Sequence, residues 1–133
     1  MKYLLDTNVC IRHLNHRSDP ISQQLLQRKP EDIVLCSVVK AELFYGSLKS
    51  QNPVGNLERQ RQFVSRFVSL PFDDKAADSY AKIRARLEQE GTPIGPNDLM
   101  IAAIAVANDF VLITHNTSEF GRLEELEIED WES

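Results

Sequence analysis

The sequence predicts an α/β domain with a mainly parallel sheet, because short apolar strands alternate with helices along its length. Three observations carry this reading. Apolar runs at residues 2–5, 33–36 and 111–114 have the length of buried strands. Each is followed by a polar residue suited to opening a helix or turn. The segment 97–108 is apolar nearly all round after Asp98, as a buried helix must be.

The elements follow in order. Strand 2–5 ends at Asp6, and Asn8 is expected to cap a helix running to about residue 15. Ser18-Asp19-Pro20 stops that helix and starts another over 20–27, since proline in a first turn loses no hydrogen bond. Strand 33–36 precedes Ser37, read as the N-cap of helix 38–48. Leu57, Val64, Phe67 and Val68 recur near helical spacing and predict a helix over 53–68. A Leu70-Pro71-Phe72 segment leads to a helix from about Asp74, with Gly91 as terminator. Residues 92–96 form a loop, 97–108 the buried helix, 111–114 a strand and 118–120 a short turn. Residues 126–129 make a last, edge strand.

The length of 133 residues fits one domain over residues 1–133. Its 42% hydrophobic and 26% charged residues exclude a disordered chain. No apolar run approaches the ~18 residues a membrane span needs, and the N-terminal apolar stretch breaks at Asp6, too early for a signal peptide. Two cysteines without a CxxC pair argue against a disulfide framework or structural zinc, and a reducing, cytoplasmic setting fits. The net charge of −5 speaks against nucleic acid only superficially. Seven acids and one base lie from Glu119 onward, which leaves 14 bases against 13 acids before it. A local basic lip over an acidic site is compatible with that distribution.

The chemistry lies in where the acids fall. Asp6, Asn116 and Glu119 follow strands, at the sheet edge where parallel α/β folds bind ligands. Glu42 and Asp98 sit in helices that can reach the same rim. Each acid alone has a structural reading as a cap or a solvated side chain. Convergent carboxylates repel and raise one another's pKa unless a cation sits among them. All-oxygen ligation favours Mg²⁺ or Mn²⁺ over zinc, and such a metal suits phosphoryl chemistry. His13 and His16 are assigned to a solvated helix face, whereas His115 lies at the rim within reach of substrate. Cys10 and Cys36 read as buried apolar residues.

Four blocks resemble PIN-domain ribonucleases. They are Tyr3-Leu4-Leu5-Asp6-Thr7-Asn8, the run from Ser37 to Gly46, the run from Ile94 to Ala103, and the run from Leu112 to Phe120. Their order, spacing and total length are similar to the VapC toxins of bacterial VapBC toxin–antitoxin modules. The resemblance implies an α/β/α PIN fold and a Mg²⁺- or Mn²⁺-dependent endoribonuclease that leaves a 5′-phosphate and a 3′-hydroxyl. It implies that Asp6, Glu42 and Asp98 hold the metal, with Glu119 as a further catalytic acid. Many PIN domains carry aspartate at or near the position of Asn116, which is neutral here. Thr7, Ser37, Thr114 and Asn116 are supporting residues that fix carboxylate rotamers or complete the rim.

RNA, with tRNA leading, is the expected substrate, and Lys40, Lys49, Lys82, Arg84 and Arg86 are candidates for phosphate contacts. A VapB-type antitoxin is the expected partner, entering a groove that Phe44, Tyr45, Leu48, Phe63 and Phe67 can line. The resemblance also implies a homodimer and larger complexes with the antitoxin, and no membrane association. Two other readings compete. An aspartate-based phosphatase of the haloacid dehalogenase type wants a second aspartate where Asn8 stands, and a lysine in the late loop where His115-Asn116-Thr117 lies. A non-catalytic PIN-like binding module has no use for the repulsion among Asp6, Glu42 and Asp98.

Overall fold

The computed structural model describes residues 1–132 and is built on a five-stranded, wholly parallel sheet. The strands are β1 (Tyr3–Leu5), β2 (Ile33–Cys36), β3 (Val68–Leu70), β4 (Val111–Ile113) and β5 (Ile128–Glu129), in spatial order β3-β2-β1-β4-β5. The helices are α1 (Thr7–Leu14), α2 (Asp19–Leu26), α3 (Ser37–Leu48), α4 (Pro53–Val64), α5 (Asp74–Gln89), α6 (Pro96–Asn108) and α7 (Thr117–Phe120). After β1 the chain moves outward through β2 to β3, then crosses back to β4. Strand order therefore reverses between β1 and β4, and such a switch point opens a crevice at the carboxyl ends of the strands.

The core explains the strand pattern. Leu4, Leu5, Val34, Leu35, Leu112 and Ile113 are buried on central strands covered on both faces. Each such side chain contributes roughly 1.5–3 kcal/mol of transfer free energy. Ile101, Ala102, Ala103, Ile104 and Ala105 of α6 are wholly buried, which accounts for that helix being apolar all round. Cys10 and Cys36 are buried and unpaired, as their apolar neighbours suggest. No helix among the described residues is long and apolar enough to cross a membrane.

Several element boundaries differ from expectation, each for a physical reason. Asp6, not Asn8, caps α1: its extended backbone turns the carboxylate back onto the Val9 N–H at 2.9 Å. Ser37 is the first residue of α3 rather than its cap, because Cys36 keeps strand geometry and caps without a side-chain bond. The helix expected over 53–68 ends at Val64, and Val68–Leu70 pairs with β2 as a strand. Val68 is exposed on that edge strand, so backbone pairing holds it and its apolar spacing misleads. His13 is not on a solvated face: its ring lies 5.4 Å from that of Phe63 and its Nδ1 is 2.8 Å from Ser22 Oγ. His16 lies beyond α1 in a left-handed backbone conformation. Gly91 takes the same region, with φ +73°, and ends α5 as expected.

The acidic C-terminal segment folds onto the domain. Trp131 is buried, 5.5 Å from the Tyr3 ring and 4.5 Å from the Arg28 guanidinium, and its indole N–H donates to Glu129 Oε1 at 3.1 Å. Trp131→Ala is expected to cost about 3 kcal/mol of unfolding free energy. Urea denaturation checks this, and a loss under ~1 kcal/mol would mean that the indole does not anchor the segment.

Candidate acidic site at the carboxyl edge of the sheet

The four expected acids converge at this crevice. Asp6 leaves β1 directly, its backbone N–H donating to Ile113 O of the neighbouring β4 at 3.1 Å. Glu42 comes from the second turn of α3, which starts as soon as β2 ends. Asp98 lies in the first turn of α6, and Glu119 in α7, the short helix after β4. The charges of Asp98 and Glu42 act on Asp6, and those of Glu119 and Glu42 act on Asp98.

Burial makes this proximity expensive. Asp6 is only 6% exposed, and desolvation is the main cause that lifts its pKa from 3.8 to about 6. The Thr114 hydroxyl and the Val9 N–H stabilise its carboxylate and hold the rise down, while Asp98 and Glu42 add to it. Asp98 is half-buried, and its pKa is also raised, first by desolvation, then by Glu119 and Glu42.

Hydrogen bonds fix the orientation of the acids. Thr7 Oγ1 donates to Glu42 Oε1 at 2.5 Å, and Asn97 Nδ2 donates to Glu42 Oε2 at 3.3 Å. The Asn116 side-chain amide donates to Glu119, while its backbone N–H donates to Thr114 Oγ1 at 3.0 Å. Thr7, Thr114 and Asn116 thus each support a carboxylate. Ser37 does not: it is exposed, and lines the cleft beside Glu42 without bonding any of the four acids. Thr7→Val keeps the side-chain volume and removes the donor to Glu42. The affinity of these acids for a divalent cation is expected to fall roughly 10- to 100-fold with an unchanged circular dichroism spectrum. Undiminished cation affinity would show that Thr7 does not orient Glu42.

The donor set suits a hard divalent cation. It is all oxygen, it includes a buried carboxylate whose charged form is disfavoured without a cation, and it has no thiolate. Among the described residues, the trio with ligand atoms all within 4.8 Å of one another is His115, Asp130 and Glu132, not Asp6, Glu42 and Asp98.

The expected basic residues are mostly engaged elsewhere. Lys82 pairs with Asp78, Arg84 with Glu88, and Arg86 with both Glu90 and Glu125. Lys49 lies over the ring of Tyr45. Arg12 and Arg17, which were not among the expected contacts, line a cavity of about 690 Å³ together with Asp6, His115, Asn116 and Glu132. No local sequence signal marks Arg12, whose carboxylate partner Glu132 lies 120 residues away in sequence. Asn97 was also overlooked, although it adjoins Asp98. The expected groove residues divide. Phe63 and Phe67 line a cleft between α2 and α4 with Leu25 and Leu26, whereas Tyr45 lies beside Glu42 and Leu48 is exposed.

Comparison with known proteins matches residues 3–126 to the PIN domain. The chain is 39% identical over 133 residues to Ribonuclease VapC2 of Rickettsia felis, covering 99% of each chain. It is 38% identical over 131 residues to the tRNA(fMet)-specific endonuclease VapC of Shigella flexneri, covering 98% of each. Among solved structures, it is similar to VapBC2 from Rickettsia felis bound to a DNA fragment from its promoter. The TM-score is 0.92 at 39% identity, with 98% of this chain and 99% of that chain covered. DNA-bound VapBC from Salmonella typhimurium gives a TM-score of 0.93 at 37% identity, covering 98% of each.

Proposed function

This chain belongs to the PIN-domain family and to its VapC ribonucleases, and from that premise we propose that it is a metal-dependent endoribonuclease toxin of a VapBC module. The proposed unit is one PIN domain over residues 1–133, acting in the cytoplasm on RNA, with tRNA as the leading substrate. Support for tRNA comes from the Shigella flexneri relative, whose name specifies tRNA(fMet). The structural neighbours are VapBC assemblies, which supports a VapB-type antitoxin as partner; a homodimer within a larger complex is part of the same proposal.

The observation that carries the catalytic reading is the buried Asp6 facing Glu42 and Asp98, with its pKa raised to about 6. Asp6, Glu42 and Asp98 would hold a divalent ion, Mg²⁺ or Mn²⁺. When bound, such an ion acidifies water and offsets the charge that builds on a phosphate under attack. The chain's own residues position the rest. Thr114 and the Val9 N–H aim the Asp6 carboxylate, Thr7 and Asn97 hold the two oxygens of Glu42, and Asn116 holds Glu119, whose charge acts on Asp98. Water adds to phosphorus, and the bond from phosphorus to the 3′-oxygen breaks. The 3′-oxygen takes a proton and leaves as a hydroxyl, and the phosphate stays on the 5′ side.

Incubation of the purified chain with unfractionated tRNA, in Mg²⁺, in Mn²⁺ or in EDTA, tests this reading. Discrete fragments with 5′-phosphate and 3′-hydroxyl ends are expected only with metal. Equal cleavage in EDTA would contradict metal dependence. Absence of cleavage and of metal binding in a folded chain would favour the non-catalytic binding module.

A further inference from the structure

Because β5 runs parallel to β4, the segment after Glu129 emerges at the same sheet edge as Asp6, Thr114 and Asn116. Trp131 anchors it there, and the side chain of Glu132, only 10% exposed, enters the cavity beside Asp6. Its carboxylate accepts from Arg12 Nε, and its other oxygen lies 3.5 Å from His115 Nδ1. Arg12 is further held by a bond from Nη2 to the Arg17 carbonyl at 3.2 Å. His115, 67% exposed, keeps its Nδ1 2.9 Å from Asp130. The Arg12 and Arg17 guanidiniums and the His115 ring thus share a cavity wall with Asp6, the carboxylate most central to the acidic site. A polyanion approaching that site meets repulsion from Asp6, Glu42, Asp98 and Glu119, and needs nearby cations to offset it.

We propose that Arg12, Arg17 and His115 form a subsite for an RNA phosphate next to the one being cleaved, and that Glu132 occupies this subsite until RNA displaces it. The proposal rests on the ribonuclease reading above and deepens it. A carboxylate is the nearest protein equivalent of a phosphate for a guanidinium, which binds both through the same planar donor geometry. Displacement needs only a side-chain rotation at Glu132, since Trp131 holds the backbone in place. The closeness of His115, Asp130 and Glu132 is part of this network of polar contacts: the Arg12 guanidinium already occupies the Glu132 carboxylate that a cation would require.

The test measures dissociation constants for unfractionated tRNA, over a range of salt concentrations, on full chains carrying Asp98→Asn to silence cleavage. Adding Glu132→Gln is expected to tighten binding about 3- to 5-fold, the scale of one partly exposed ion pair. Adding Arg12→Ala is expected to weaken binding about tenfold and lower the salt slope by roughly one phosphate contact. In the chain carrying both, the gain from Glu132→Gln should vanish, because the two residues act on the same phosphate. Thermal melts on every chain separate binding from folding. Unchanged or weaker binding by a folded Glu132→Gln chain would overturn the proposal, as would a gain that persists without Arg12. Indifference of tRNA binding to both residues would overturn the subsite alone. Failure of every chain to bind tRNA, with no cleavage by the unsubstituted one, would overturn the ribonuclease reading as well.

Discussion

Replacement of Asp98 by asparagine is expected to reduce tRNA cleavage by at least about 10³-fold while leaving the fold intact. The side chain keeps its shape, and Asn is as compatible as Asp with the first turn of α6. What is lost is one negative charge from a set that includes Asp6, Glu42 and Glu119. A divalent ion supplies several kcal/mol of transition-state stabilisation, and each 1.36 kcal/mol is tenfold in rate. The loss should appear in turnover at saturating substrate, with RNA binding retained or strengthened, because the substitution also relieves repulsion of phosphate. Initial rates with labelled tRNA check this. Full activity in a nuclease-free preparation would remove Asp98 from the chemistry.

The second large effect concerns stability. Asp6 has a folded pKa of about 6 against 3.8 for the unfolded chain, so the folded state binds its proton more tightly. The sign follows: this group leaves stability intact below pH ~4 and lowers it as pH rises through the window from about 4 to about 6. The difference corresponds to about 3 kcal/mol at pH 7. Asp6→Asn removes the charge yet keeps a side chain that accepts from the Val9 N–H as an N-cap does. In EDTA at pH 7 the variant is therefore expected to be more stable by about 2 kcal/mol, a rise of roughly 6 °C in melting temperature. At pH 4 the two chains should converge. Mg²⁺ should also close the gap at pH 7, by binding the folded form of the unsubstituted chain. A variant less stable than its parent at pH 7 in EDTA would mean that the Asp6 carboxylate is stabilising, contrary to this account.

Much of this was legible before the structure. β1, β2 and β4 are apolar runs whose burial on both faces leaves no room for polar residues, so Leu4-Leu5, Val34-Leu35 and Leu112-Ile113 announce themselves. Once those strands are parallel, residues just after them share one edge. That brings Asp6 and Thr114 together from sequence order alone. β3 escaped because Val64, Phe67 and Val68 continue the helical rhythm begun at Leu57, although Val68 points to solvent. Backbone pairing with β2 decides its state, and such pairing leaves no mark in local pattern.

Charge was harder to read than apolar burial. Lys82, Arg84 and Arg86 look like a basic face until the acids one turn away on α5, and Glu125, are taken into account. Arg12 carries no local sign of its role, because its partner Glu132 lies 120 residues away in sequence. Likewise, Asn8 and Ser37 are ordinary capping residues whose claim was overridden. Strand pairing kept Asp6 and Cys36 extended as the residues before α1 and α3.

The central claim is that Asp6, Glu42 and Asp98 hold a divalent metal. Its most direct test is a titration of Mn²⁺ into the purified chain, followed by electron paramagnetic resonance of the free ion. The unsubstituted chain is expected to bind Mn²⁺ and to release it on addition of Mg²⁺, while Asp6→Asn loses most of that binding. Equal Mn²⁺ binding by the two folded chains would contradict the account.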